Sequence, residues 1–79
     1  MFCADGTTLS IQVGETLYCH PRTNEGPWTH VEVGFPTADP GVLWREYAED
    51  PDNPTYTVYA YVPVELVYFF IGAHGGVHP

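Results

Sequence analysis

The densest chemistry in this chain is a run of four carboxylates within seven positions, Glu46, Glu49, Asp50 and Asp52, in a sequence that contains no lysine. Acids so grouped focus a negative potential, which steers a basic protein surface toward them and sets the salt dependence of the encounter. The plainer reading is a solvated turn that aids solubility. What favours a functional role is the missing lysine, because soluble domains normally intersperse both signs. The chain is also rich in rings. Trp28, Trp44, Tyr47, Tyr68 and Phe69 are of the types that dominate interface energetics, and are candidate anchors for a partner.

Other side chains suggest weaker chemistry. Cys19-His20 with His74 and His78 supplies the thiolate and imidazole ligands that zinc prefers. There is no Cys-x-x-Cys pair, however, and Gly75-Gly76 separates the last two histidines, so the expectation is no metal site. Asp50, Asp52 and Asn53 begin like a calcium loop but lack its glycine and its distal bidentate glutamate. Ser10 has neither a glycine-rich elbow nor a His or Asp signature beside it, so no catalytic residue is assigned and the chain is not expected to be an enzyme. The absence of lysine rules out a phosphate-binding loop, and no cofactor is expected. The four histidines could make stability or association sensitive to pH near their ordinary pKa of about 6.5.

The composition sets the scale. Ten acids against two arginines in 79 residues give a formal charge of −8, and a chain of this length forms one small domain, residues 1–79. It buries about 60% of its unfolded surface, which leaves no room for a deep cleft with a separate supporting core. With 44% hydrophobic and 15% aromatic residues it is too apolar for a disordered segment. Arg22 and Arg45 are too few cations to displace counterions from phosphates, so nucleic acid is not expected as a direct ligand. Met1–Asp5 reads as no signal peptide, which points to a cytoplasmic location. The longest apolar run, Leu66 to Ala73, is far short of the roughly 20 residues that cross a bilayer, so no membrane partner is expected. In a reducing compartment Cys3 and Cys19 are read as free thiols packed as small hydrophobes, with a disulfide or metal ligation as the alternatives.

Several elements must position these groups. Asp5-Gly6 signals a type I′ turn. Thr7 to Val13 alternates as a strand with Leu9, Ile11 and Val13 on one face, and Gly14-Glu15 reverses it into a short return strand, Thr16 to Cys19. That arrangement would place Cys3, Thr8 and Cys19 in one row, too far apart for a bridge between the outer sulfurs. His20 to Pro27 reads as a loop. Thr29 to Phe35 is a strand with Thr29, Val31, Val33 and Phe35 on one side. Asp39-Pro40 starts a short helix, Pro40 to Ala48, which brings Leu43 and Tyr47 together at i and i+4. Glu49 to Pro54 is an acidic loop. Thr55 to Val62 is a central strand with Tyr56, Val58, Ala60 and Val62 on one face. Pro63 opens the clearest helix, which runs to about His74 with Gly75-Gly76 as its stop. The sum is an α+β domain in which an antiparallel sheet of about four strands packs against a C-terminal helix, with a short helix around 40–48.

The last helix is anomalous. Val64, Val67, Phe70, Ile71 and His74 suffice for a core face, which leaves Leu66, Tyr68 and Phe69 over, with Glu65 the only charged residue between Pro63 and His74. A helix on the surface of a monomer should be polar there. Either the 20–27 loop or the short helix covers these side chains, or a partner does.

Cys3-Ala4-Asp5-Gly6, Leu9-Ser10-Ile11-Gln12, Tyr18-Cys19-His20-Pro21-Arg22, Gly26 to Pro36 and Val58 to Glu65 resemble segments of small uncharacterised bacteriophage accessory proteins. The resemblance implies a protein that works inside a bacterial cell. Such proteins often bind and block a host protein, and anti-CRISPR inhibitors are the best-known class. The expectation is an acidic module that occupies a basic, nucleic-acid-handling surface of a host protein. The alternative is a structural or self-assembling phage protein that forms a homodimer through the C-terminal helix.

Overall fold

In a computed structural model of the protein, the residues described are 1–14, 17–21, 23 and 25–78. Among them the chain forms β1 (Ser10–Gln12), β2 (His30–Gly34), a 3₁₀ helix (Val42–Tyr47), β3 (Val58–Pro63) and α1 (Val64–Ala73). The sheet is antiparallel in the order β1-β2-β3, with Ile11 opposite Val33 and Val31 opposite Val62. This is the α+β architecture expected, built on three strands among the described residues where about four were expected. The central strand is β2, not β3.

The missing strand is the return strand. Thr16 lies outside the described residues, and Leu17 to Cys19 join no ladder. Glu15 of the expected Gly14-Glu15 turn also lies outside the described residues; on either side of it the Leu17 amide donates to the Gly14 carbonyl at 3.2 Å. The Gly14 amide donates to Cys19 Sγ at 3.3 Å, while the Tyr18 carbonyl accepts from the Tyr61 amide of β3 at 3.0 Å. Thr8 accordingly pairs with Phe2, and Cys3 pairs with Val77, so Cys3, Thr8 and Cys19 do not form a row. Both cysteines are free and buried. At the N-terminus, Gly6 donates to the Cys3 carbonyl at 3.0 Å and Cys3 to that of Thr7 at 2.7 Å. Gly6 takes φ 92° while Asp5 keeps a negative φ. That is a three-residue loop closed by a glycine bulge, not the two-residue type I′ turn.

Strand β3 departs from simple alternation because of a bulge. Between the pairs Val31–Val62 and Val33–Tyr59, β2 advances by two residues and β3 by three, so Ala60 and Tyr61 together stand opposite Glu32, with Tyr61 at φ 54°. The offset puts both Tyr59 and Val62 into the core and leaves Tyr56 outside. Phe35 departs in the same way. It adopts φ 47° and turns outward, 56% exposed, and Pro36 is buried in its place.

The short helix is 3₁₀, and its period explains its packing. With three residues per turn, i and i+3 eclipse, so Trp44 and Tyr47 share the inner side and Leu43 is turned out, where α-helical spacing had paired Leu43 with Tyr47. Asp39 caps no helix. Its Oδ1 accepts from the Gly41 amide at 2.8 Å, a local turn that the positive φ of Gly41 continues. The Trp44 ring packs edge-on against Tyr59 with centroids 5.4 Å apart and lies 5.7 Å from Phe70 of α1. The Tyr59 hydroxyl donates to the Pro54 carbonyl at 2.6 Å, which ties the acidic loop to this core.

Helix α1 buries Val67, Phe70 and Ile71. It ends as expected, with Gly75 and Gly76 at φ 89° and 86° and the Gly76 amide returning to the Ile71 carbonyl at 2.9 Å. The fold measures 31 × 31 × 16 Å, about one sheet and one helix thick. No helix among the described residues is long and apolar enough to cross a membrane.

Candidate docking face

The outer side of α1 is open. The 3₁₀ helix runs beside it as a wall, not over it as a lid, and the gap between them is an apolar groove of about 490 Å³. Leu43 and Trp44 contribute one side and Leu66, Phe69 and Phe70 the other, with Asp39 and His74 among the lining residues. None of the described residues of the 20–27 loop lines it. Val42, Leu43, Tyr68 and Phe69 remain largely exposed, Leu43 by 69% and Phe69 by 81%. A shallower hollow over Tyr68, Phe69, Gly72 and Ala73 continues the surface, and the position of a Cβ on Gly72 meets no atom within 4 Å. Large contiguous apolar patches on monomeric folds are commonly interaction sites.

The expected anchors divide. Tyr68 and Phe69 stand on this face. Trp44, 3% exposed, packs in the core and shows only a small part of itself in the groove wall. Trp28 is half-buried and occupied by its own loop. Its indole N–H donates to the Thr23 carbonyl at 3.2 Å, and a Cβ at Gly26 would lie 2.6 Å from its ring. Tyr47 is half-buried, and the hydrogen-bonded Glu46 carboxylate pushes its hydroxyl pKa above 10.0.

The acidic residues Glu46, Glu49, Asp50 and Asp52 are all exposed. Asp50 organises the loop with its own oxygens, accepting from the Asp52 amide at 3.2 Å and from Asn53 Nδ2 at 2.8 Å, while its amide donates to Thr57 Oγ1 at 2.9 Å. Two further acids border the groove. Asp39 lines it, 3.7 Å from Arg45, with both side chains about half exposed. A pair so placed is worth between zero and about 1 kcal/mol. Asp5 stands behind His74. Its Oδ2 accepts from His74 Nδ1 at 2.6 Å and its Oδ1 from the Thr7 amide at 2.9 Å. The Thr7 amide and hydroxyl, and then His74, hold the Asp5 carboxyl down at about 2. The His74 ring in turn lies 4.6 Å from Phe70. Backbone bonds reinforce this clasp, since Asp5 donates to the His74 carbonyl at 3.1 Å and Ala4 to that of Gly76 at 2.8 Å.

Sequence reasoning missed Val42 and Leu43 as surface residues and missed the Asp5–His74 pair. The three-residue period from Trp44 to Tyr47 was the available signal for the first. Nothing local signals a contact spanning 69 positions. Among the described residues, no group of three or more His, Cys, Asp or Glu is placed to hold a metal ion, and His74 is engaged with Asp5 instead of Cys19 or His20. The Ser10 hydroxyl accepts from Gln12 Nε2 at 3.3 Å. Comparison with protein-family models, curated proteins and solved structures finds no match to this chain.

Proposed function

We propose that this chain is an acidic binding protein, not an enzyme, which blocks a basic, nucleic-acid-handling surface of a host bacterial protein in the manner of an anti-CRISPR or other anti-defence inhibitor. The observation that carries this reading is the exposed apolar face of Leu43, Tyr68 and Phe69 on a chain of charge −8. Covering each large apolar side chain is worth about 1.5–3 kcal/mol before the costs of association are met. The exposed Glu46, Glu49, Asp50 and Asp52 supply steering and salt-dependent contacts. In this reading the acids set the rate of encounter and the apolar face sets the lifetime of the complex.

The test is capture from bacterial lysate at low and high salt, with the captured protein identified and then purified. The expected partner binds nucleic acid, loses the chain as salt rises and releases it to competing DNA. A partner without a basic surface, or binding that ignores both salt and DNA, overturns the reading.

A homodimer through α1 is the second reading, favoured by the open Gly72 beside the exposed Phe69, a notch and a knob on one face that a two-fold axis could mate. Equilibrium sedimentation across protein concentration distinguishes the two. A dimer that does not bind the host protein supports the second.

A further inference from the structure

We propose that the groove between the 3₁₀ helix and α1 receives one large apolar side chain from a basic segment of the partner protein, a Leu, Ile, Phe or Trp flanked by Lys or Arg. This rests on the binding reading above and specifies what enters the face. The groove has the dimensions for it. Its volume of about 490 Å³ falls within the roughly 300–1,000 Å³ of sites that enclose small ligands. Leu43, Leu66, Phe69 and Phe70 make its sides apolar, so the inserted group must be apolar as well.

The surroundings decide the flanks. Asp39 lines the groove, Asp5 stands 2.6 Å behind the lining His74, and Glu46 and Glu65 project from the same two helices. Among the described residues Arg45 is the only arginine or lysine, and it already lies 3.7 Å from Asp39. A cation beside the inserted group therefore meets Asp39 at the groove and, around it, a chain of charge −8. A second copy of the chain would bring the same acids against themselves, so charge complementarity favours a basic partner over self-association.

Selection from a library of random short peptides, with the full chain as bait, tests the proposal. Enriched sequences are expected to place a large apolar residue next to Lys or Arg. When resynthesised they should bind wild type about tenfold or more tightly than the double variant Leu43→Ser/Phe69→Ser, a loss typical of removing interface anchors. Ala73→Trp, which fills the groove from its own side, should give the same loss, and amide NMR shifts should cluster on residues 42–44 and 66–74. Both variants alter exposed positions, and their unperturbed amide spectra elsewhere check that they fold. The proposal is overturned by enrichment of acidic or purely apolar peptides, by no enrichment, by binding that both variants retain, or by a dimer that occupies the face. If the variants still capture the DNA-competed host protein while charge reversal at Glu49 and Asp50 abolishes capture, the groove inference fails and the broader function stands.

Discussion

Trp44 and Phe70 touch in the core, 5.7 Å between ring centres, whereas their immediate neighbours in sequence, Leu43 and Phe69, face solvent at 69% and 81% exposure. The two pairs sit on the same two helices and are equally apolar. What separates them is layering. The fold is 16 Å thin, and once the sheet has covered the inner side of α1 no second layer among the described residues covers the outer side. Apolar character in a small domain therefore does not show which residues hold the fold and which stand open on its surface. That is settled by which face the sheet has already taken.

Substitutions on the two sides should behave in opposite ways. Trp44→Ala should lower unfolding free energy by about 3–5 kcal/mol, because it empties a filled core position, and should bring a small domain close to unfolding in a urea titration. Phe69→Ala should stay within about 0.5 kcal/mol of wild type in the same titration, as surface substitutions do. If the two losses were similar, the contrast between the faces would be wrong. Tyr59→Phe keeps the core ring and removes its bond to the Pro54 carbonyl, with an expected cost of about 0.5–1.5 kcal/mol and a looser acidic loop by hydrogen exchange.

Phe35→Gly tests the other sign. Phe35 is exposed and held at φ 47°, and relieving that backbone strain should offset the lost packing and the added chain entropy, leaving stability unchanged or raised by up to about 1 kcal/mol in thermal melts. The smallest effect is expected at Asp5. Its carboxyl lies at about 2 in the folded chain against an ordinary 3.8, so its contribution is fully present above pH 3.8 and is lost as pH falls through about 2. Asp5→Asn should cost the same small amount of stability at every pH above 3.8, neutral pH included, and its difference from wild type should vanish as pH falls through about 2. An unchanged profile would remove the clasp's role.

Much of this architecture can be read from the residues. The alternation around Val31 and Val33 and the proline-to-glycine span of the last helix place β2 and α1, and the surplus of Leu66, Tyr68 and Phe69 locates the open face. Three features could not be read so. The bulge in β3 arises because Tyr59 and Val62 both fill the core, a tertiary demand that overrides local alternation. Asp39-Pro40 signals a helix start, but Asp39 closes a local turn onto the Gly41 amide instead, and the helix that begins at Val42 is 3₁₀, which turns Leu43 out and Trp44 in. The Asp5–His74 clasp joins the two ends of the chain through space.

The most direct measurement of the central claim uses Leu43→Ser/Phe69→Ser, with denaturant titration and binding to the purified host protein performed on the same sample. The expected result is an unfolding midpoint close to wild type together with loss of the complex through faster dissociation. A midpoint depressed as far as that of Trp44→Ala, or a complex that survives with its dissociation rate unaltered, would contradict it.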